Sequence, residues 1–313
     1  MKPHPLISVI IPTYNRAYCL PETIESVLAQ SFKDFEIIII DDGSTDNTVE
    51  VLQPYREKII YKYQKNAGIT EARNAGLKLC SGEWVALLDS DDIWYKDKLE
   101  RQVKDVTEHP EIDVHITNAN IYREHIGNEV SLFEFTGVTK MFSRQLEVIK
   151  SPVELQLKYG IAWVQCSLVR RKVLLDEGLY DTKLTIYTDF DLFCRLATSY
   201  TWGICLKEYV KIKREVSKPN VSSQRKKNPV HTYGTMIYVL NKMINTGKLK
   251  AKELSVAKRL LISNNAALGM TYLSSGQRID ARRTFKEIKS LKNWIRFILT
   301  FMPDAIIECY FKK

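Results

Sequence analysis

Residues 6–15, LISVIIPTYN, and 35–44, FEIIIIDDGS, decide the fold. Each is an unbroken apolar run that stops on polar residues, the pattern of a strand buried on both faces within a parallel sheet. Between them, residues 20–30 set Ile24, Val27 and Leu28 at helical spacing behind Pro21, a residue suited to a first helical turn. The alternation continues with a helix at 48–55, a strand at 59–63, a helix at 69–79 and a strand at 84–88 that runs into Asp89. Such alternation predicts a mostly parallel, Rossmann-like α/β sheet flanked by helices, with its ligand crevice beyond the carboxyl ends of the strands. Three of those ends are polar: Pro12-Thr13-Tyr14-Asn15, Asp41-Asp42-Gly43-Ser44 and Asp89-Ser90-Asp91-Asp92.

Beyond Asp92 the spacing predicts a helix at 97–108, a strand near 113–117 and a mixed stretch to about 160. A strand at 166–170, a helix at 189–198 and one or two strands at 203–213 follow. Residues 214–229 are polar, basic and contain two prolines, the composition of a loop. From His231 the chain reads as helical, and Ala266, Gly269, Tyr272, Gly276, Ala281 and Phe285 resemble one copy of a helical-hairpin repeat. The expected organisation is a domain over 1–228, in two parts that meet near residue 95, and a helical appendage over 229–313.

With 45% apolar and 27% charged residues in 313, the chain has material for a sizeable core, which excludes disorder and collagen. Its net charge of +9 points to anionic partners without choosing among them. The six cysteines are scattered, so neither a zinc site nor a disulfide framework is signalled and a reducing, cytoplasmic setting is expected. The start lacks the apolar stretch and cleavage site of a signal peptide. The most apolar late stretch, 294–302, is about half the ~20 residues needed to span a bilayer.

Two carboxylates with one spacer, Asp89 and Asp91, can offer oxygen ligands to Mn²⁺ or Mg²⁺, which take only one or two protein carboxylates and leave room for diphosphate. Alone, such a string is usually a solvated turn. Four segments in order change that: SVIIPTYN (8–15), IIIIDDGSTDNT (37–48), NAGITEARNAGL (66–77) and GEWVALLDSDD (82–92) resemble glycosyltransferase family 2. The resemblance implies the GT-A fold and an inverting hexosyl- or N-acetylhexosaminyltransferase using a nucleotide-sugar, foremost a UDP-sugar. It implies a catalytic domain over 1–228, with 1–95 as the nucleotide-sugar half and 96–228 as the acceptor half with a lid loop, and that Pro12, Tyr14, Asn15, Asp42 and Gly68 line the nucleotide pocket and Arg73 supports it. Asp89 and Ser90 would meet the ribose-diphosphate, and Asp91 with Asp89 would hold the metal. The residue types suit these tasks: Tyr14 offers a face for a base, Asp42 accepts from an imide N–H, and Arg73 is permanently charged.

Thr188-Asp189-Phe190-Asp191 and Arg195 resemble the family's helix-opening acidic pattern, preceded by Gly178-Leu179-Tyr180-Asp181. Asp189 falls at the position of the catalytic base; Thr188 stands where the family often has Glu. The implied acceptor is a glycan or lipid-linked hydroxyl of cell-envelope polysaccharide biosynthesis. His231 is weighed as a substitute metal ligand against an ordinary surface or core histidine. Trp294, Phe297, Ile298 and Phe301 sit at i, i+3, i+4 and i+7 beside Lys289, Lys292 and Arg296, so peripheral contact with the anionic inner face of the cell membrane is an expectation, set against packing on the same domain.

Other classes fit less well. PTYN after the first strand is not the GxGxxG of a nicotinamide enzyme, and no GxxxxGK is present. A sugar nucleotidyltransferase resembles a Gly-rich, Arg-containing opening missing here. A basic nucleic-acid-binding protein is motivated by charge alone, with no accompanying motif, so nucleic acid is disfavoured.

Overall fold

The structure is a computed structural model that describes residues 4–123, 128–214, 228–288, 297–298 and 300–301. Residues 215–227 of the predicted loop 214–229, most of the predicted helix around Trp294, and Cys309 lie outside the described residues, while Arg214 ends a strand and Pro229 opens a helix. The chain divides into two compact units, Met1–Ser217 and Lys218–Lys313.

In the first unit the alternation emerges as β1 (Ile7–Thr13), α1 (Leu20–Leu28), β2 (Phe35–Asp41), α2 (Thr48–Val51), β3 (Ile60–Tyr63), α3 (Ile69–Leu79) and β4 (Trp84–Leu87). These strands pair in parallel in the order β3-β2-β1-β4. Every residue of β1 is buried, the polar Ser8 and Thr13 included, as expected of a largely apolar strand covered on both faces. Strand order reverses around β1, so its carboxyl end and that of β4 open the crevice at which such sheets bind ligands. The ends are staggered. Thr13 lies level with Asp41, whereas β4 ends opposite Ile10, three residues earlier, and the chain turns there into Asp89. Helix α3 packs on β1 through Gly76, where a Cβ would come within 2.3 Å of the Ile10 side chain.

The second half of the sheet is mixed. It contains β5 (Ile93–Trp94), α4 (Lys98–Glu108), β6 (Val114–Arg123), β7 (Asn128–Ser131), α5 (Leu132–Thr136), β8 (Leu146–Lys150), α6 (Val153–Tyr159), β9 (Ser167–Arg170), α7 (Arg171–Asp176), α8 (Thr188–Ser199) and β10 (Thr201–Arg214). β9 inserts antiparallel between β4 and β6, while β6 and β10 pair in parallel. Among the described residues β1–β4, β6 and β10 run one way and the other four strands the opposite way, giving the predicted mostly parallel sheet with reversed strands added. The region predicted as one or two strands near 203–213 is a single long strand with two breaks in register, at Cys205/Glu208 and Glu208/Lys211.

Behind β5, Lys98 is wholly buried; its Nζ donates to Gln102 Oε1 at 2.7 Å and lies 4.0 Å from the centroid of the Trp94 ring. Burial lowers its pKa to about 7.

The second unit contains α9 (Pro229–Asn245), α10 (Ala251–Ser274) and α11 (Arg278–Lys286). Asn228 caps α9 by accepting from His231 N, with Pro229 in the first turn. α10 and α11 form a hairpin around Ala266, Leu273, Ala281, Phe285 and Ile288. Gly269 permits this closeness, since a Cβ there would meet the Phe285 ring at 2.6 Å. No helix among the described residues is long and apolar enough to cross a membrane.

The Lys98 displacement carries a sign. An unfolded lysine titrates near 10.4, so between about pH 7 and 10 the unfolded chain binds more protons and the folded state gains stability as pH rises. Lys98→Met is expected to exceed the wild type in urea stability at pH 7, with the gap narrowing at pH 9. A gap constant in pH would show that Lys98 is protonated in the fold.

Candidate active site

The first polar strand end is braced from within. Asn15 takes a left-handed conformation (φ 52°), which asparagine tolerates better than most residues. Its backbone N–H donates to Ser44 Oγ at 2.9 Å, while its Oδ1 accepts from the backbone of Thr45 at 2.7 Å and of Asp46 at 3.3 Å. The loops after β1 and β2 are thereby tied together. Tyr14 beside it is 47% exposed, while Pro12 is buried within β1.

Asp42 closes the second end. Its Oδ1 accepts from Gln64 Nε2 at 2.7 Å and Ala67 N at 2.9 Å, and its Oδ2 from Gly68 N at 2.8 Å. Gly68 precedes α3 with φ 92°, a conformation that favours glycine. A carboxylate has about four acceptor positions, and three of Asp42's are met by protein donors.

At the end of β4 the Asp89–Asp92 turn is held by α1, whose Thr23 Oγ1 lies 2.9 Å from the Ser90 carbonyl and 3.0 Å from that of Asp92. Asp92 is buried and accepts from Lys213 N at 2.9 Å, joining the turn to the end of β10. Asp91 lies 3.7 Å from the Arg16 guanidinium.

Arg73, on α3, joins this turn to α8. It is 4% exposed; its Nη2 donates to Asp89 Oδ1 at 2.7 Å, and its Nη1 to Asp189 Oδ1 at 2.6 Å and to Thr188 Oγ1 at 3.2 Å. The Tyr180 ring centroid lies 5.4 Å from the guanidinium carbon. Burial by itself would make Arg73 easier to deprotonate, but the charges of Asp189 and Asp89 outweigh that and hold its pKa above the ordinary value. Both carboxylates keep about a third of their side-chain surface exposed, 33% for Asp89 and 31% for Asp189.

The same helix secures the segment before α8. Thr70 Oγ1 donates to the Leu184 carbonyl at 2.8 Å, and the Asn74 amide exchanges two 3.0 Å hydrogen bonds with the Tyr180 backbone. Arg195 pairs with the buried Asp191 at 3.0 Å and donates to the carbonyls of Glu177 and Leu179. Tyr187, the residue before α8, has φ 57°, uncommon for an aromatic side chain at a helix start.

Of the residues singled out in the sequence, Arg73, Asp89 and Asp189 meet directly; Ser90 and Asp91 lie on the same turn as Asp89. Asn15, Asp42 and Gly68 are spent largely on bracing loops. His231 falls in the other unit, in the first turn of α9. Thr23, Thr70, Asn74 and Lys213 were not singled out. Thr70, Arg73 and Asn74 stand at i, i+3 and i+4, a polar stripe on a helix, which is the signal that could have found two of them.

Asp89 and Asp91 provide hard oxygen donors on one turn. One Asp89 oxygen is engaged by Arg73, and the pair matches the one or two carboxylates that Mn²⁺ or Mg²⁺ requires beside a diphosphate. Among the described residues no group of three His, Cys, Asp or Glu could hold a metal unaided.

A mostly parallel sheet with acidic residues at its carboxyl edge is the architecture of a GT-A glycosyltransferase. S. aureus TarS 1–349 in complex with UDP superimposes with a TM-score of 0.66 at 20% identity, over 98% of this chain and 91% of that one. Residues 8–176, more than half the chain, match the family model "Glycosyl transferase family 2", and the chain belongs to that family. The uncharacterized glycosyltransferase RT0329 of Rickettsia typhi is 33% identical over 200 residues, 63% of this chain and 61% of the relative. The putative teichuronic acid biosynthesis glycosyltransferase TuaG of Bacillus subtilis is 48% identical over 104 residues, 32% of this chain and 41% of the relative. The match thus spans less than two thirds of these relatives' own length.

Arg73→Lys retains the charge but cannot present a planar fork to two carboxylates. It is expected to lower stability by about 1–3 kcal/mol in urea denaturation. An unchanged midpoint would mean that the bridge contributes nothing to folding.

Proposed function

We propose that the protein is an inverting glycosyltransferase that moves a hexosyl or N-acetylhexosaminyl group from a UDP-sugar to a hydroxyl of a glycan or lipid-linked acceptor. One observation carries the reading: Arg73 holds Asp89 of the acidic strand-end turn and Asp189 of α8 on a single guanidinium, so the leaving-group side and the candidate base stand together. TarS, with the same fold, has been solved with UDP, and the relative TuaG is named for teichuronic acid biosynthesis; both support a cell-envelope acceptor and a UDP carrier.

In this reading the half-exposed Tyr14 stacks the uracil, and the remaining acceptor position of Asp42 takes the imide N–H. Asp89 and Asp91 would hold Mn²⁺ or Mg²⁺, which would supply positive charge against that of the departing diphosphate. Asp189 accepts the proton of the acceptor hydroxyl as the oxygen attacks the anomeric carbon. The new C–O bond forms as the bond to the diphosphate breaks on the opposite face, and UDP leaves. No enzyme nucleophile enters, so the configuration inverts. The catalytic domain is proposed to extend over 1–228, with the helical appendage following.

Asp189→Asn is expected to lower turnover by about 10²- to 10⁴-fold while UDP binding by calorimetry stays within a few-fold of wild type. Normal turnover in this variant would remove Asp189 as the base. Chelation with EDTA is expected to stop transfer and added Mn²⁺ to restore it; full activity in EDTA would dismiss the metal.

A further inference from the structure

We infer that the second unit docks on an anionic lipid surface through α11 together with Ile298 and Phe301. Charge in this chain is strongly segregated. The second unit holds 19 of the 46 Lys and Arg but only 5 of the 37 Asp and Glu, a balance of +14, whereas the first unit carries −5. The modest overall charge hides this. A negative surface therefore repels the first unit and attracts the second, so electrostatic docking is confined to the helical part.

The side chains on α11 refine the partner. Arg283 and Lys286 are exposed one turn apart, with Asp280 3.9 Å from Arg283 and Glu287 just past the helix end as the facing acids. Ile279, one turn before Arg282 and Arg283, is 64% exposed. Arg282 lies 3.8 Å from the centroid of the Phe301 ring and donates to the Thr300 carbonyl at 3.0 Å, which places Phe301 beside α11. Phe301 is 58% and Ile298 44% exposed. Cations alone would suit any polyanion. Large apolar side chains left in water among cations suit a bilayer interface, where the cations meet phosphates and the apolar groups enter the acyl boundary. With no spanning helix among the described residues, the association is peripheral and sensitive to salt.

This inference is independent of the transfer reaction, because its test uses neither donor nor acceptor. The full chain is sedimented with phosphatidylglycerol vesicles, with phosphatidylcholine vesicles, and with phosphatidylglycerol vesicles in the presence of inorganic polyphosphate. Circular dichroism melts check that each variant is folded. The wild type is expected to pellet with phosphatidylglycerol and not with phosphatidylcholine. Arg283→Glu with Lys286→Glu should weaken binding about tenfold or more, and Ile279→Ser with Phe301→Ser should abolish the part of the binding that survives raised salt. Absence of binding to phosphatidylglycerol at low salt overturns the assignment, as does unchanged binding by the charge-reversed variant. Full competition by polyphosphate, together with wild-type behaviour of the serine variant, would make the surface a polyanion site and likewise overturn it.

Discussion

Two carboxylates from distant parts of the chain, Asp89 after β4 and Asp189 on α8, share the buried guanidinium of Arg73, and the geometry of the crevice follows from that sharing. Carboxylates gathered at one end of a sheet repel each other, and the repulsion is bearable only where a cation stands between them. A buried arginine left without its partners would be equally costly. Each member therefore requires the others, and α3, which supplies the arginine, becomes the element to which the turn after β4 and the segment before α8 are both referred. Thr70 and Asn74, on the same helix, fasten that segment through its backbone.

The loops at the strand ends are braced for a related reason. Backbone groups turned away from sheet partners need others, and Asn15, Asp42 and Thr23 provide them. Residues that family likeness assigns to the nucleotide thus work first as braces. Tyr14, nearly half exposed, is not drawn into that bracing. Loops braced in this way spend their ordering entropy on folding.

How much could be read in advance differs along the chain. β1, β2, α1, α3 and β4 were legible because strands buried on both faces, and helices with one apolar stripe, leave their period in the residues themselves. α3 spans 69–79 as the pattern predicts. β5, β7 and β8 were not legible: they are short, lack a period, and exist because β6 and β10 offer them edges to pair with. The antiparallel insertion of β9 between β4 and β6 was hidden for the same reason, since strand direction is decided by the connection's path and not by the strand's own residues. Of the candidate site, the types and order of Asp89, Ser90, Asp91 and Asp189 were visible as motifs, while Thr188 gave no hint that its hydroxyl would accept from Arg73.

By itself the sequence determined the parallel nucleus around β1, the acidic strand ends, the family and the basic character of the last third, because each of these rests on local pattern or simple composition. Only the tertiary structure decided that Arg73 spans Asp89 and Asp189, that Asp42 and Asn15 hold loops, and that Ile279 and Phe301 stay in water near Arg282. Those facts depend on contacts between residues up to 116 positions apart, and a contact over that distance is set by how sheets and helices pack, which no local spacing encodes.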